Sequence, residues 1–365
     1  MMINKATVLG TSLSVALLST SAFAANIGNT SQKGSLLIFP KIDVTQNQQV
    51  LRNTFFRITN DNTAGVDVKC YYETELFNAG TRRKPIWKKD VRNFKIHLTA
   101  NQPVMINAYT GDTDIGGRVN PFPRQNQPHG VLKCWAVNAA GDASINWNHL
   151  SGTATVFENL FDDTAYEYTA WAFKAKIGVL GNVVDSNGDL ALDGKEYEYC
   201  PRYLIGHFTP AGGIIDPGFA NPYTVVSNEV TAVSCTEDLR QDRKPVFTKL
   251  AFDVWNTYEN KFTEPYECAD SYHQFSLTEL DNGPQLDVET LGDNAAYFRM
   301  EGIESDQCPQ YTPLTKAVGL VGIMRTVLEE DFTGDQLDTG TNLNGAGNKA
   351  GSILWDKQRP TAEKK

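Results

Sequence analysis

Several kinds of chemistry are missing from this 365-residue chain. It has five histidines (His97, His129, His149, His207 and His273), and no two stand at metal-ligand spacing. His97, on a polar strand face, reads as solvated, and His149, beside Trp147, as a packed or turn residue. There is no H-E-x-x-H, no G-x-S-x-G and no Gly-rich phosphate loop. Catalytic residues are therefore assigned to none. The absence of Cys-x-x-Cys removes thioredoxin-like chemistry, haem attachment and a zinc ribbon. Past the first two dozen residues no apolar run approaches the ~20 needed to cross a bilayer as a helix; the longest, Ala317 to Met324, is strand-sized. Positive charge is also short: the formal net charge of −10 disfavours nucleic acid and anionic membranes as partners. Helical periodicity is almost absent.

What is present points outward. Lys5, the apolar stretch Ala6 to Thr20 and the small residues of Ala22-Phe23-Ala24 form a secretory leader of bacterial type, with cleavage expected after Ala24. Six cysteines follow it: Cys70, Cys134, Cys200, Cys235, Cys268 and Cys308. An even count behind a leader implies disulfides. Proximity along the chain pairs Cys70 with Cys134, Cys200 with Cys235 and Cys268 with Cys308, each constraining the unfolded chain by ~2–4 kcal/mol.

The rest of the chain reads as strands. Phe56 and Ile58, then Val66, Val68 and Cys70 after a turn, alternate as a half-buried antiparallel hairpin does. Gly34 to Phe39 is a continuous apolar strand stopped by Pro40, suited to burial on both faces. Short alternating strands recur every ~8–12 residues with turn residues between them, the spacing of a β-sandwich. A second block retraces the first: Phe252 to Cys268 echoes Phe56 to Cys70, Phe275 to Thr278 echoes Ile96 to Thr99, and Tyr297 to Met300 matches the Cys134 strand. Leu320-x-Gly322 with Val327 matches Leu150-x-Gly152 with Val156. The expected fold is all-β: a signal peptide (1–24), two tandem Ig-like β-sandwich domains (25–175 and 241–357), a loop-rich, disulfide-stapled insert (176–240) and a flexible tail (358–365).

Three features suggest sites. Asp185, Asn187, Asp189, Asp193 and Glu196, with the Ala191 carbonyl, have the spacing of a calcium loop, since Ca²⁺ takes 6–8 oxygen ligands. Leu190 stands where such loops carry glycine, and no helices flank it; a structural calcium is the cofactor expected. Arg82, Arg83, Lys84, Trp87, Lys88 and Lys89 form a basic run around a tryptophan that would grip an anionic polymer or protect a sheet edge. Tyr71, Tyr72, Trp135, Trp147, Tyr166, Tyr168, Trp171, Trp255 and Tyr258 would fill cores or build a sugar-binding platform. The acidic pairs Asp162-Asp163 and Glu329-Glu330-Asp331 occupy corresponding places in the two blocks and read as a shared turn.

Gly34 to Pro40, Lys69-Cys70-Tyr71, Lys133-Cys134-Trp135-Ala136-Val137 and Leu239-Arg240-Gln241-Asp242-Arg243 together resemble an uncharacterised family of secreted bacterial β-rich proteins. The resemblance implies export and a β fold and brings no activity. The function expected is that of a secreted, non-catalytic surface or matrix protein that binds other surface proteins or polysaccharide, or self-associates through strand edges. The alternative is a carbohydrate-binding module or a glycan-directed hydrolase, located outside the cell or in the periplasm.

Overall fold

The computed structural model describes residues 26–46, 51–81, 86–158, 164–215, 222–240, 245–308, 315–331 and 333–357. The leader and the 358–365 tail lie outside these. The described chain is all-β apart from one helical turn, Val288–Leu291, capped by the Asp287 side chain on the Thr290 N–H. Its three disulfides join Cys70 to Cys134, Cys200 to Cys235 and Cys268 to Cys308.

Nine strands build the first half: β1 (Leu36–Asp43), β2 (Arg52–Asn60), β3 (Val66–Thr74), β4 (Val91–Leu98), β5 (Pro103–Asn107), β6 (His129–Val137), β7 (Leu150–Glu158), β8 (Ala165–Thr169) and β9 (Trp171–Phe173). They pair as β9-β1-β6-β3-β4 and β8-β7-β2-β5. The two sheets face each other across a core to which Leu37, Phe56, Val68, Ile106, Leu132 and Val156 belong. β1 runs on through Pro40, and its register shifts between Phe39 and Ile42, so the proline falls where the ladder is already broken.

Nine more build the second half: β10 (Cys200–Phe208), β11 (Tyr223–Ser234), β12 (Thr248–Asn256), β13 (Lys261–Ala269), β14 (Tyr272–Ser276), β15 (Ala296–Ile303), β16 (Leu320–Glu330), β17 (Gln336–Asn342) and β18 (Asn344–Lys349). Their orders, β18-β10-β15-β12-β13 and β17-β16-β11-β14, reproduce the first half strand for strand, each shifted by nine. Side-chain detail repeats as well. A Cβ on Gly152 of β7 would meet the Arg57 carbonyl oxygen of β2 at 2.7 Å and the Phe39 ring of β1 at 2.6 Å. A Cβ on Gly322 of β16 would meet the Thr231 carbonyl oxygen of β11 at 2.5 Å and Leu204 of β10 at 3.1 Å.

The duplication therefore exists, in a different phase from the one the sequence suggests. Phe56 and Cys70 do not share a hairpin: β2 pairs with β7 and β5, while β3 pairs with β6 and β4 in the opposite sheet. Both strands aim alternate residues at one core, and alternation reports the buried face without naming the neighbour. Phe252 to Cys268 (β12 and β13) is a true hairpin and corresponds to β3 and β4. Phe275 lies on β14, the counterpart of β5. The Cys134 strand with Tyr297–Met300, and Leu150-x-Gly152 with Leu320-x-Gly322, do fall on equivalent strands. The 176–240 stretch is no loop-rich insert, because it contains β10 and β11, the opening strands of the second half. The order also departs from the immunoglobulin one, in which the first strand lies beside the second; here β1 lies between β9 and β6.

The halves are not beads on a string. The outward residues Leu36, Ile38, Tyr71, Val131, Trp135 and Trp171 of the β9-β1-β6-β3-β4 sheet share one apolar cluster with Leu204, Val230, Phe252 and Met300. Trp171 Nε1 donates to the Gly322 carbonyl at 3.1 Å. β1 and β6 are accordingly buried along nearly their whole length, whereas β12 alternates strictly between buried and half-buried residues.

A candidate binding face on the second half

Because β12 alternates, its two faces are unambiguous. Phe252 and Val254 point into the core, and Asp253 and Trp255 point out. The register carries one outward row across four strands: His207 of β10 opposite Tyr297 of β15, Tyr297 opposite Trp255 of β12, and Trp255 opposite Lys261 of β13. Trp255 and Tyr297 stack, with centroids 4.8 Å apart and planes within 11°. His207 extends the row, its ring 5.7 Å from that of Tyr297. Tyr297 is 37% exposed, and Tyr258, in the turn beyond β12, is 71% exposed.

Charged groups frame the rings. Arg299 Nη2 donates to Asp253 Oδ2 at 2.5 Å, and Lys261 Nζ lies 2.9 Å from Asp253 Oδ1. Partial burial works to raise the Asp253 carboxyl, but hydrogen bonds from Lys261 and Arg299 outweigh it and hold it below the usual range. The guanidinium of Arg299 also sits 4.9 Å from the Tyr203 ring centre, and Lys261 Nζ lies 5.3 Å from that of Trp255. The result is a stacked two-ring apolar cluster, one ring face of each partner covered by the other, with donors and a carboxylate acceptor along its margin, a surface suited to an amphipathic ligand.

The equivalent strand pair of the first half, β3 and β6, carries a stacked pair too. Tyr71 and Trp135 lie 5.2 Å apart at 7°. There the chain covers its own rings. A short strand, Gly351–Leu354, pairs with Asp189–Leu192 and runs parallel to Thr236–Asp238, and it delivers Trp355 edge-on to Trp135 at 5.4 Å. Lys69 Nζ sits 4.4 Å from the Trp355 ring centre and donates to the Asp356 carbonyl at 2.9 Å. Burial lowers this lysine to about 8.

The other sequence candidates distribute as follows. Tyr72, Trp147, Tyr166, Tyr168 and Trp171 are core residues like Tyr71 and Trp135. Arg82, Arg83 and Lys84 lie outside the described residues. Trp87 and Lys88 form an exposed two-residue strand against Phe77–Asn78, with Trp87 37% exposed. Lys89 is only 5% exposed and turns inward to pair with Glu73, so it does not belong to an exposed grip. In the Asp185–Glu196 loop the oxygens face the backbone: Asp185 accepts from the N–H groups of Asn187, Gly188 and Asp189, Asp193 from those of Lys195 and Glu196, and Glu196 from that of Ala191. Among the described residues no group of three or more His, Cys, Asp or Glu side chains converges on a metal position. Glu330 accepts from Thr333 within the turn, and Asp331 accepts at 2.7 Å from Thr224 of the neighbouring β11; Asp162 and Asp163 lie outside the described residues.

Sequence reasoning named Trp255 among nine aromatics and missed Tyr297, His207 and Arg299. The available signal was phase: Trp255 alternates in step with Asp253 and out of step with Phe252 and Val254.

No family model matches this chain, and no curated protein matches it. It is similar to a solved structure from Parabacteroides distasonis ATCC 8503, described as a "putative secreted protein", with 10% identity over 81% of this chain and 92% of that one and a TM-score of 0.19. The disulfides fit an oxidising, extracytoplasmic location. Among the described residues no helix is long and apolar enough to cross a membrane.

Proposed function

We propose that this chain is a secreted, non-catalytic binding protein of the cell surface or extracellular matrix, and that it holds polysaccharide on the outward face of β10, β15, β12 and β13. The observation that carries this reading is the stacked Trp255–Tyr297 pair, left open to solvent where its counterpart in the first half is covered. A pyranose ring presents an apolar C–H face and a polar rim. The first would pack against the exposed side of the stacked pair, and the second would reach Asp253, Arg299, Lys261 and His207. Self-association through strand edges is supported less. β13 is an edge strand interrupted by Pro265, β5 begins at Pro103, and the edges β8 and β17 are joined by Asn342, which bonds the Thr169 backbone twice, at 2.9 and 2.7 Å.

Retention on a panel of insoluble and soluble polysaccharides tests the proposal. The expected result is retention on at least one polymer, lost in Trp255→Ala and Tyr297→Ala and kept in Trp87→Ala. Passage of the wild type through the whole panel would end it. Retention lost only in Trp87→Ala would move the site to the basic hairpin.

A further inference from the structure

Lys133 stands in the middle of β6 among apolar neighbours. Val131 and Trp135 flank it along the strand, and Ile38 and Tyr71 lie across from it. Its side chain has no exposed surface. Two carboxyls reach it, and they are held differently. Glu73 has both oxygens occupied: Oε2 is 3.0 Å from Lys133 Nζ, and Oε1 accepts from Lys89 and, at 2.6 Å, from Ser271 Oγ. Burial works to raise Glu73, but Lys133 and Lys89 outweigh it and keep it ionised. Glu237, on the strand Thr236–Asp238, contacts Lys133 Nζ through Oε1. Its Oε2 is buried with no hydrogen-bond donor among the described residues, and Lys89 Nζ stops 3.6 Å away. Burial, reinforced by the Glu73 charge, raises this second carboxyl. One buried amine thus lies between an ionised carboxylate in contact with it, placed to relay its protons, and a carboxyl pushed toward its neutral form, suited to act as an electrophile.

We propose that Lys133 and Glu237 condense into an isopeptide bond that ties β6 to the Thr236–Asp238 strand. Counted from the ammonium and the carboxylate, the Nζ–Cδ bond forms, one Cδ–O bond breaks and one water leaves. Of the protons on Nζ, one remains on the amide nitrogen. The other two leave with the oxygen, relayed by Glu73, which ends as it began. No oxidant, metal or activated co-reactant enters the balance. Enclosure lowers the barrier, since groups fixed in contact react with effective molarities of ~10⁵–10⁸ M. The product replaces a buried ammonium and a poorly solvated carboxyl with an amide, and leaves Glu73 paired with Lys89 and Ser271. Together with the Cys200–Cys235 disulfide just upstream, the link would lock the second half onto the first.

The intact mass of the purified, folded full-length protein decides the matter. The expected mass is one water below that calculated with three disulfides and any removed leader, and digestion should yield a branched peptide joining the Lys133 and Glu237 segments. The full calculated mass, with both segments recovered as linear peptides, would overturn the proposal. Glu73→Gln, if folded by circular dichroism, is expected to regain the missing water; a variant that still lacks it would remove Glu73 from the role of proton relay.

Discussion

Two stacked aromatic pairs, Tyr71–Trp135 and Trp255–Tyr297, occupy equivalent strand pairs and meet opposite fates. Tyr71 and Trp135 are sealed beneath Trp355, Lys69 and the second half, while Trp255 and Tyr297 face water. One strand order has been used twice, once as the interior of the molecule and once as its surface. The lesson is that a recurring ring pair acquires its role from what lies over it. In the first half the occupant is a residue of the chain itself, and in the second the place is open.

The sharpest way to break the comparison is to truncate one ring of each pair. Trp135→Ala removes a fully buried side chain and is expected to cost ~3–5 kcal/mol in denaturant unfolding. Trp255→Ala is expected to change stability by no more than ~1 kcal/mol, as is usual at a solvated face, while abolishing retention. Equal losses from both would dissolve the distinction.

The glycines test the duplication itself. Gly152→Ala and Gly322→Ala press a methyl against equivalent carbonyls, and each is expected to destabilise by ~1–3 kcal/mol. A clear loss in one with none in the other would show that the halves pack differently.

Protonation acts more gently. His129, at the start of β6, has a side chain 26% exposed, and burial works to lower it. Hydrogen bonds to Asp43 and Glu75 prevail and raise it to about 9. A histidine raised in the folded state stabilises fully below its unfolded value of ~6.5, and that contribution fades as pH climbs through about 9. Unfolding free energy should therefore fall by ~1–3 kcal/mol across that window, and His129→Gln should flatten the slope. The smallest effect is expected from calcium. The Asp185–Glu196 oxygens already serve backbone N–H groups, so millimolar Ca²⁺ should leave the unfolding midpoint in place. A rise in the midpoint would show that the loop reorganises around the ion.

Much of this architecture is legible in the chain. The strands, the continuous burial of β1 and the existence of a repeat follow from side-chain phase and turn residues, but the phase of the repeat does not. Pairing does not, because β2 and β3 look alike whether they share a sheet or face each other across a core. Lys89 follows Lys88 in a basic run and reads as solvated; its partners Glu73 and Glu237 are remote in sequence, and only the fold brings the three together. The binding face is legible only in part. Strict alternation turns Trp255 outward, but Tyr297 and Arg299 join it through the β12–β15 register, which no local pattern specifies.

The most direct test of the open-versus-covered account is oxidative footprinting of tryptophan and tyrosine, read by mass spectrometry, with and without the polysaccharide panel. In the free protein Trp255, Tyr297 and Tyr258 should label quickly, and Trp135, Trp171 and Trp355 should stay protected. At least one polymer should then shield Trp255 and Tyr297 while leaving Trp87 as reactive as before. Labelling of Trp255 that no polymer changes, or labelling of Trp135 as fast as that of Trp255, would contradict the account.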